Sequence, residues 1–286
     1  MGDYVVFHAP AWSATYSIYF FVIGLSAALF FFSTLSWFRA EFGVLRSSTF
    51  YLSFILLVVG GLLLIGDLSQ PLRFIYTLNP MFWNMTSPLM WGSILLVLFG
   101  AASSLYFLAL RAGNEKGART WGVLGSIVAL GLPIYTGFDL SVHQHRPIWN
   151  TPLMPVLFVA LSLLSGAAVA SFLAKGQAEL LGVLRKLMLW SAGATAVMLL
   201  SLVVTTAYGG SAEELTYLFM TTGTLGLVFI GLGVIAGTAV PIILLLAPLG
   251  RQQTGLWLAA ALLLLGGMAL RYSILVGPQI VQTFYS

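Results

Sequence analysis

Cysteine is absent from the 286-residue sequence. That excludes Fe–S clusters, disulfides, CxxC redox motifs and c-type haem attachment within this chain. Charge is nearly absent too. Asp, Glu, Lys and Arg make up 7% of residues, against roughly 25% in a soluble domain. Such a sequence cannot cover its surface against water. Histidine is limited to His8, His143 and His145. A b-type haem in a membrane bundle needs axial ligands on facing helices, and none of the three falls in the middle of an apolar run. No haem, metal or Fe–S group is therefore expected in the chain. The N-terminal stretch MGDYVVFHAPAWSATYS has no basic region ahead of a short apolar core, so no cleavable signal is expected.

What remains is apolar. Hydrophobic residues make up 59% and the mean hydropathy is +1.00. A helix needs about 20 apolar residues to cross a bilayer. Eight stretches qualify: 15–38, 49–68, 87–110, 120–141, 152–174, 186–208, 222–247 and 255–277. Runs such as ILLVVGGLLLIG lack the alternation of a membrane barrel. The expected fold is an all-α integral membrane protein, a single eight-helix bundle over residues 1–286, surrounded by lipid bilayer. The net charge of +4 sits in the connections, so it reports topology and not nucleic-acid binding.

We call the N-terminal side of this bundle side A and the opposite side B. Side B connections hold Arg39, Arg46, Arg111, Lys116, Arg119, Lys175, Arg185, Lys186 and Arg251, whereas side A holds Arg73 and Arg146. The positive-inside rule places side B in the cytoplasm. Both termini are then expected outside the cytoplasm, with the chain a multi-pass protein of the inner (cytoplasmic) membrane. The eight Trp residues fall near predicted helix ends, as interfacial anchors do. In the seventh stretch Gly233 and Gly237 form a GxxxG spacing, which reads as helix packing.

Ionisable groups inside spans are costly and usually functional. Asp67 ends the second stretch, Asp139 lies near the end of the fourth, and Arg271 in the last third of the eighth. Those three stretches all run toward side A, and Tyr16 and Tyr19 start the first at the same level. Tyr135, Asp139 and His143 recur at i, i+4, i+8 on one helix face. This convergence of carboxylates, tyrosines, a histidine and an arginine at one depth is the most specific feature of the residues themselves. Asp67 and Arg271 are an expected ion pair tying the second and eighth helices together.

Several segments resemble the NrfD/PsrC family, the quinone-binding membrane subunits of polysulfide reductase and related complexes. They are IYFFVIGLSAALF (18–30), GDLSQPLRF (66–74), TSPLMWGS (86–93), ALRYSILVGPQ (269–279) and above all YTGFDLSVHQHRPIWNTPLMPVLFVALSLLSGAAVA (135–170). The resemblance implies a quinone, menaquinone or ubiquinone, held at the extracytoplasmic edge. It also implies a ferredoxin-like [4Fe–4S] subunit docked on that face and a molybdopterin catalytic subunit beyond it. By position, Tyr135 corresponds to the quinone-site tyrosine, Asp67 to an acidic position after the second helix, and Arg271 to a buried arginine of the last. Where polysulfide reductase offers Asn and His from its first helix, this chain has Tyr16 and Tyr19. Asp139 stands where the family more often has an apolar residue. Trp149 joins Tyr16, Tyr19 and Tyr135 in the expected quinone-binding set.

Quinol oxidation needs a hydrogen-bond donor to the reacting oxygen and a base within reach. Tyr135 with Tyr19 suits the first role, and Asp139 or His143 the second. Two other readings fit the residues: a proton-coupled secondary transporter, and a structural anchor without quinone.

Overall fold

The computed structural model describes residues 12–68, 70–144 and 146–280. His8 and His145 lie outside the described residues. The described residues contain no strand. They form eight helices long and apolar enough to span a membrane. These are α1 (Ala14–Leu35), α2 (Arg46–Asp67), α3 (Pro88–Arg111), α4 (Glu115–Ser141), α5 (Leu153–Leu173), α6 (Ala178–Ala207), α8 (Gly223–Leu246) and α9 (Gln253–Ile280). A short helix the sequence reading did not anticipate, α7 (Ser211–Thr221), leads into α8. The chain is thus a multi-pass membrane protein.

Two differences from the expected spans have plain causes. α6 begins at Ala178, not near residue 186. Arg185 and Lys186 look like loop residues by charge, but long cationic side chains reach past an apolar helix end to the interface. In the seventh span, Leu227–Ala239 is π-helical. Pro241 follows it and has no N–H to give to the preceding turn. Within the π-helical stretch Thr238 Oγ1 donates to the Gly233 carbonyl, at 2.9 Å.

The GxxxG spacing does pack helices. A Cβ on Gly237 would stand 2.1 Å from Gly266 Cα, and one on Gly233 would stand 2.7 Å from the Leu270 side chain. Only glycine permits α8 and α9 to come this close. α1 lies at the centre of the bundle against α2, α4, α5 and α9. Its buried residues run from Tyr16 and Tyr19 to Ser33 and Thr34.

The first and last described segments meet on side A. Trp12 N–H donates to Gln279 Oε1 at 2.7 Å, and Gln279 Nε2 donates to the Trp12 carbonyl at 3.1 Å. The start of α1 and the end of α9 are therefore on the same face of the bundle.

Candidate functional site

The side A end of the bundle collects the polar groups. Tyr16 and Tyr19 come from the first turns of α1, Tyr135 and Asp139 from the last turns of α4, and His143 from just past the end of α4. All but His143 are buried. Asp139 interacts electrostatically with Tyr16, Tyr19 and Tyr135. The Tyr16 and Tyr19 rings lie 5.7 Å apart, and Tyr16 lies edge-on to Phe20 at 5.4 Å. His143 Nδ1 is 2.9 Å from the Asp139 carbonyl oxygen. A carbonyl only accepts, so Nδ1 carries the hydrogen.

Three atoms in this cluster stand out. Tyr19 Oη, Tyr135 Oη and Asp139 Oδ2 are buried without a hydrogen-bond partner among the described residues. Buried polar atoms are paired in the great majority of cases, because an unpaired one costs about 1–3 kcal/mol. Three from two helices in one cluster make a set of donors and acceptors suited to a small polar head group.

An aromatic cap covers the cluster. Trp12 stacks on Tyr16 at 5.1 Å and on Trp149 at 5.6 Å, and meets His143 edge-on at 5.1 Å. Trp149 belongs to the expected quinone-binding set, but its indole N–H is not free for a ligand. That N–H is already committed: Nε1 donates to the Ile274 carbonyl at 2.5 Å. Pro278 explains why. In α9 its missing N–H leaves the carbonyl four residues back without a donor, and Trp149 supplies one. Trp149 is therefore a cap on α9 that presents its ring to the cluster. Arg146 adds to this cap. It is buried, and its Nη1 donates to the Pro278 carbonyl near the end of α9. Burial pushes its pKa below the ordinary arginine value.

Asp67 and Arg271 do not form the expected ion pair. Among the described residues the one ion pair is Arg39–Glu41, on side B. Asp67 is half-buried at the rim, where Ser13 Oγ donates to it at 2.6 Å. Ser13 is the N-cap residue of α1, and its hydroxyl goes to Asp67 and not to the helix backbone. Arg271 is fully buried deeper in the bundle. Its Nη1 donates to the Gly267 carbonyl at 3.1 Å and its Nη2 to Ser162 Oγ at 3.2 Å. The faces of Phe21 and Phe158 lie 5.3 and 5.8 Å from its guanidinium carbon. Phe158 in turn packs edge-on against Phe20. One layer of phenylalanine therefore stands between Arg271 and the tyrosine cluster. The pair fails because Asp67 ends its helix at the rim, whereas Arg271 is about two and a half turns from the end of α9.

Sequence reasoning missed Gly92. A Cβ there would stand 2.0 Å from Tyr135 Cζ, so the phenol ring lies directly on the α3 backbone. The signal was present, because Gly92 belongs to the TSPLMWGS stretch. Trp12 and Gln279 were missed because nothing in their local sequence distinguishes them from interfacial residues. A separate groove of about 590 Å³ lies between α1, α4 and α5, lined by Phe31, Ile127, Leu130 and Leu163 among others and by none of the tyrosines.

The sequence is similar to those of several known membrane proteins. The C component of polysulfide reductase from Wolinella succinogenes is 29% identical over 97% of this chain and 97% of its own length. The C component of tetrathionate reductase from Salmonella typhimurium is 31% identical over 48% of this chain and 42% of its own. Protein NrfD of Escherichia coli is 28% identical over 57% and 59%. The family model described as "Polysulphide reductase, NrfD" matches residues 5–282, and this chain belongs to that family.

Proposed function

We propose that this chain is the membrane subunit of a respiratory reductase complex. It exchanges electrons between the quinone pool and a ferredoxin-like [4Fe–4S] subunit, which serves a molybdopterin catalytic subunit. The observation that carries the reading is the cluster of three buried, unpartnered polar atoms, Tyr19 Oη, Tyr135 Oη and Asp139 Oδ2. The names of the reductase relatives support membership of a reductase complex. Side A is the extracytoplasmic face in this reading, the membrane is the inner membrane, and the Fe–S partner docks over the Trp12–Trp149 cap.

The residues divide the work by their chemistry. A tyrosine hydroxyl both donates and accepts, so Tyr135 and Tyr19 hold the two-oxygen head group from two helices. Oxidising a quinol releases two protons and two electrons. The electrons leave through the partner subunit, and each proton needs an acceptor at the site. Asp139 is that acceptor, and His143, one turn further out, passes protons toward side A. Trp12, Tyr16 and Trp149 provide the flat apolar walls. The cluster's position at one end of the bundle favours this reading over a transporter, whose site is expected near the midplane.

The test is turnover of the purified complex with quinol and, separately, with an artificial donor that feeds the catalytic subunit directly. Tyr135→Phe deletes one hydroxyl and keeps the ring. Losing a hydrogen bond to the reacting oxygen costs about 1–3 kcal/mol, roughly 5- to 150-fold in quinone-linked turnover. Asp139→Asn gives a deficit that changes with pH, since it removes a base and keeps the polarity. Both variants keep artificial-donor rates. Wild-type quinone-linked rates in both assembled variants would place the site elsewhere.

A further inference from the structure

On side B the α5–α6 turn meets the start of α9 around a cavity of about 300 Å³. Arg185 and Arg251 line it, with Leu181 and Leu256 as apolar wall. No aspartate or glutamate is among the lining residues. Glu179, in the first turn of α6, is exposed and outside the lining.

Glycines build the two turns that bring the arginines together. Gly176 has φ +80°, a backbone that residues with a Cβ rarely adopt. At Gly250 a Cβ would stand 2.3 Å from the Leu244 carbonyl oxygen. Arg185 is fixed in place, because its Nε donates to the Leu245 carbonyl at 3.0 Å. Its two terminal nitrogens make no hydrogen bond among the described residues, and Arg251 has neither a hydrogen bond nor an ion pair among them. Two guanidinium groups therefore border one concavity with N–H donors that meet no acceptor among the described residues. A guanidinium is a planar fork that matches phosphate oxygens in pairs.

Position adds to the argument. The cavity lies where two membrane-spanning helices begin, and the ends of spanning helices face the head-group region of a bilayer. Basic pockets between spanning helices on the cytoplasmic side are places where anionic head groups bind. We propose that Arg185 and Arg251 bind the phosphate of an anionic membrane lipid, whose apolar part lies against Leu181 and Leu256. Free inorganic phosphate shares the charged chemistry but has no use for the apolar wall. The proposal is independent of the quinone reading.

The full chain in a neutral detergent is titrated with phosphatidylglycerol, phosphatidylcholine or inorganic phosphate, with bound ligand read by native mass spectrometry. Phosphatidylglycerol should be retained in preference to phosphatidylcholine, and less so at high salt. Arg185 also holds the Leu245 carbonyl, so its replacement can disturb the turn. The decisive variant is Arg251→Gln, which should weaken phosphatidylglycerol binding about five-fold. Lys116→Gln, an exposed side B cation outside the cavity, should leave it unchanged. Equal retention of the two lipids overturns the proposal, as does equal weakening by Lys116→Gln, or an Arg251→Gln variant that binds like wild type. Inorganic phosphate bound as tightly as the lipid overturns the lipid as the source.

Discussion

Gly92→Ala is the sharpest test of how the tyrosine cluster is held. The new methyl would stand 2.0, 2.2 and 2.4 Å from Tyr135 Cζ, Cε1 and Cε2. Ordinary contact begins at 3.4 Å, so ring and methyl must separate by roughly 1.4 Å. The α3 backbone cannot retreat that far within a packed helix, so the ring moves and its hydroxyl leaves its place. Overpacking of this kind costs about 1–3 kcal/mol, partly offset by about 0.5–1 kcal/mol from replacing a helix glycine by alanine. The functional cost is larger, because a misplacement of about 1 Å at a reacting group can cost on the order of 100-fold. Gly100→Ala is the control. It lies two turns further along α3 with nothing within 4 Å of its Cβ, so it should be neutral or slightly stabilising. The assays are the unfolding midpoint in detergent and the quinone-linked turnover of the complex. Tyr135→Leu in the Gly92→Ala background removes the ring that clashes, so the stability costs of the two changes should not add. If Gly92→Ala matches Gly100→Ala in both assays, the ring is not held as described and the reasoning fails.

Other outcomes follow from the cap and the buried charges. Trp149→Phe leaves the Ile274 carbonyl without its donor and should destabilise by about 1–3 kcal/mol. Pro278→Ala restores an amide at that point of α9, so it should recover part of the loss, and simple additivity in thermal unfolding would refute the capping role. Asp67→Asn and Arg271→Gln make no shared contact, so their stability effects should add within about 0.5 kcal/mol, and a larger coupling would restore the ion pair. A reporter fused after Ser286 should be active only in an export-competent form, whereas activity of a cytoplasm-only reporter would invert the sidedness.

Much of this protein was legible in its residue order because a bilayer is a uniform solvent. Any run of about 20 apolar residues answers to it in the same way, so the eight spans needed no knowledge of their neighbours. The level of Tyr16, Tyr19, Tyr135 and Asp139 was legible for a related reason, since depth in the membrane follows from counting residues along each helix. The stripe Tyr135, Asp139, His143 required only helical periodicity, and the hydrogen bond from His143 to the Asp139 carbonyl is its local consequence. What the sequence could not fix was how each helix is rotated and which neighbour it meets. Arg271 and Asp67 seemed matched by charge, yet Arg271 meets Ser162 and two phenylalanine faces deeper in the bundle, while Asp67 stays at the rim with Ser13. Trp149 looked like an interfacial anchor, and only the arrival of α9, 125 residues away, made its N–H the donor that Pro278 withholds. Gly92 became a requirement only when α4 laid the Tyr135 ring on it. Each of these rests on a contact between distant segments, and its geometry depends on packing that no local pattern carries.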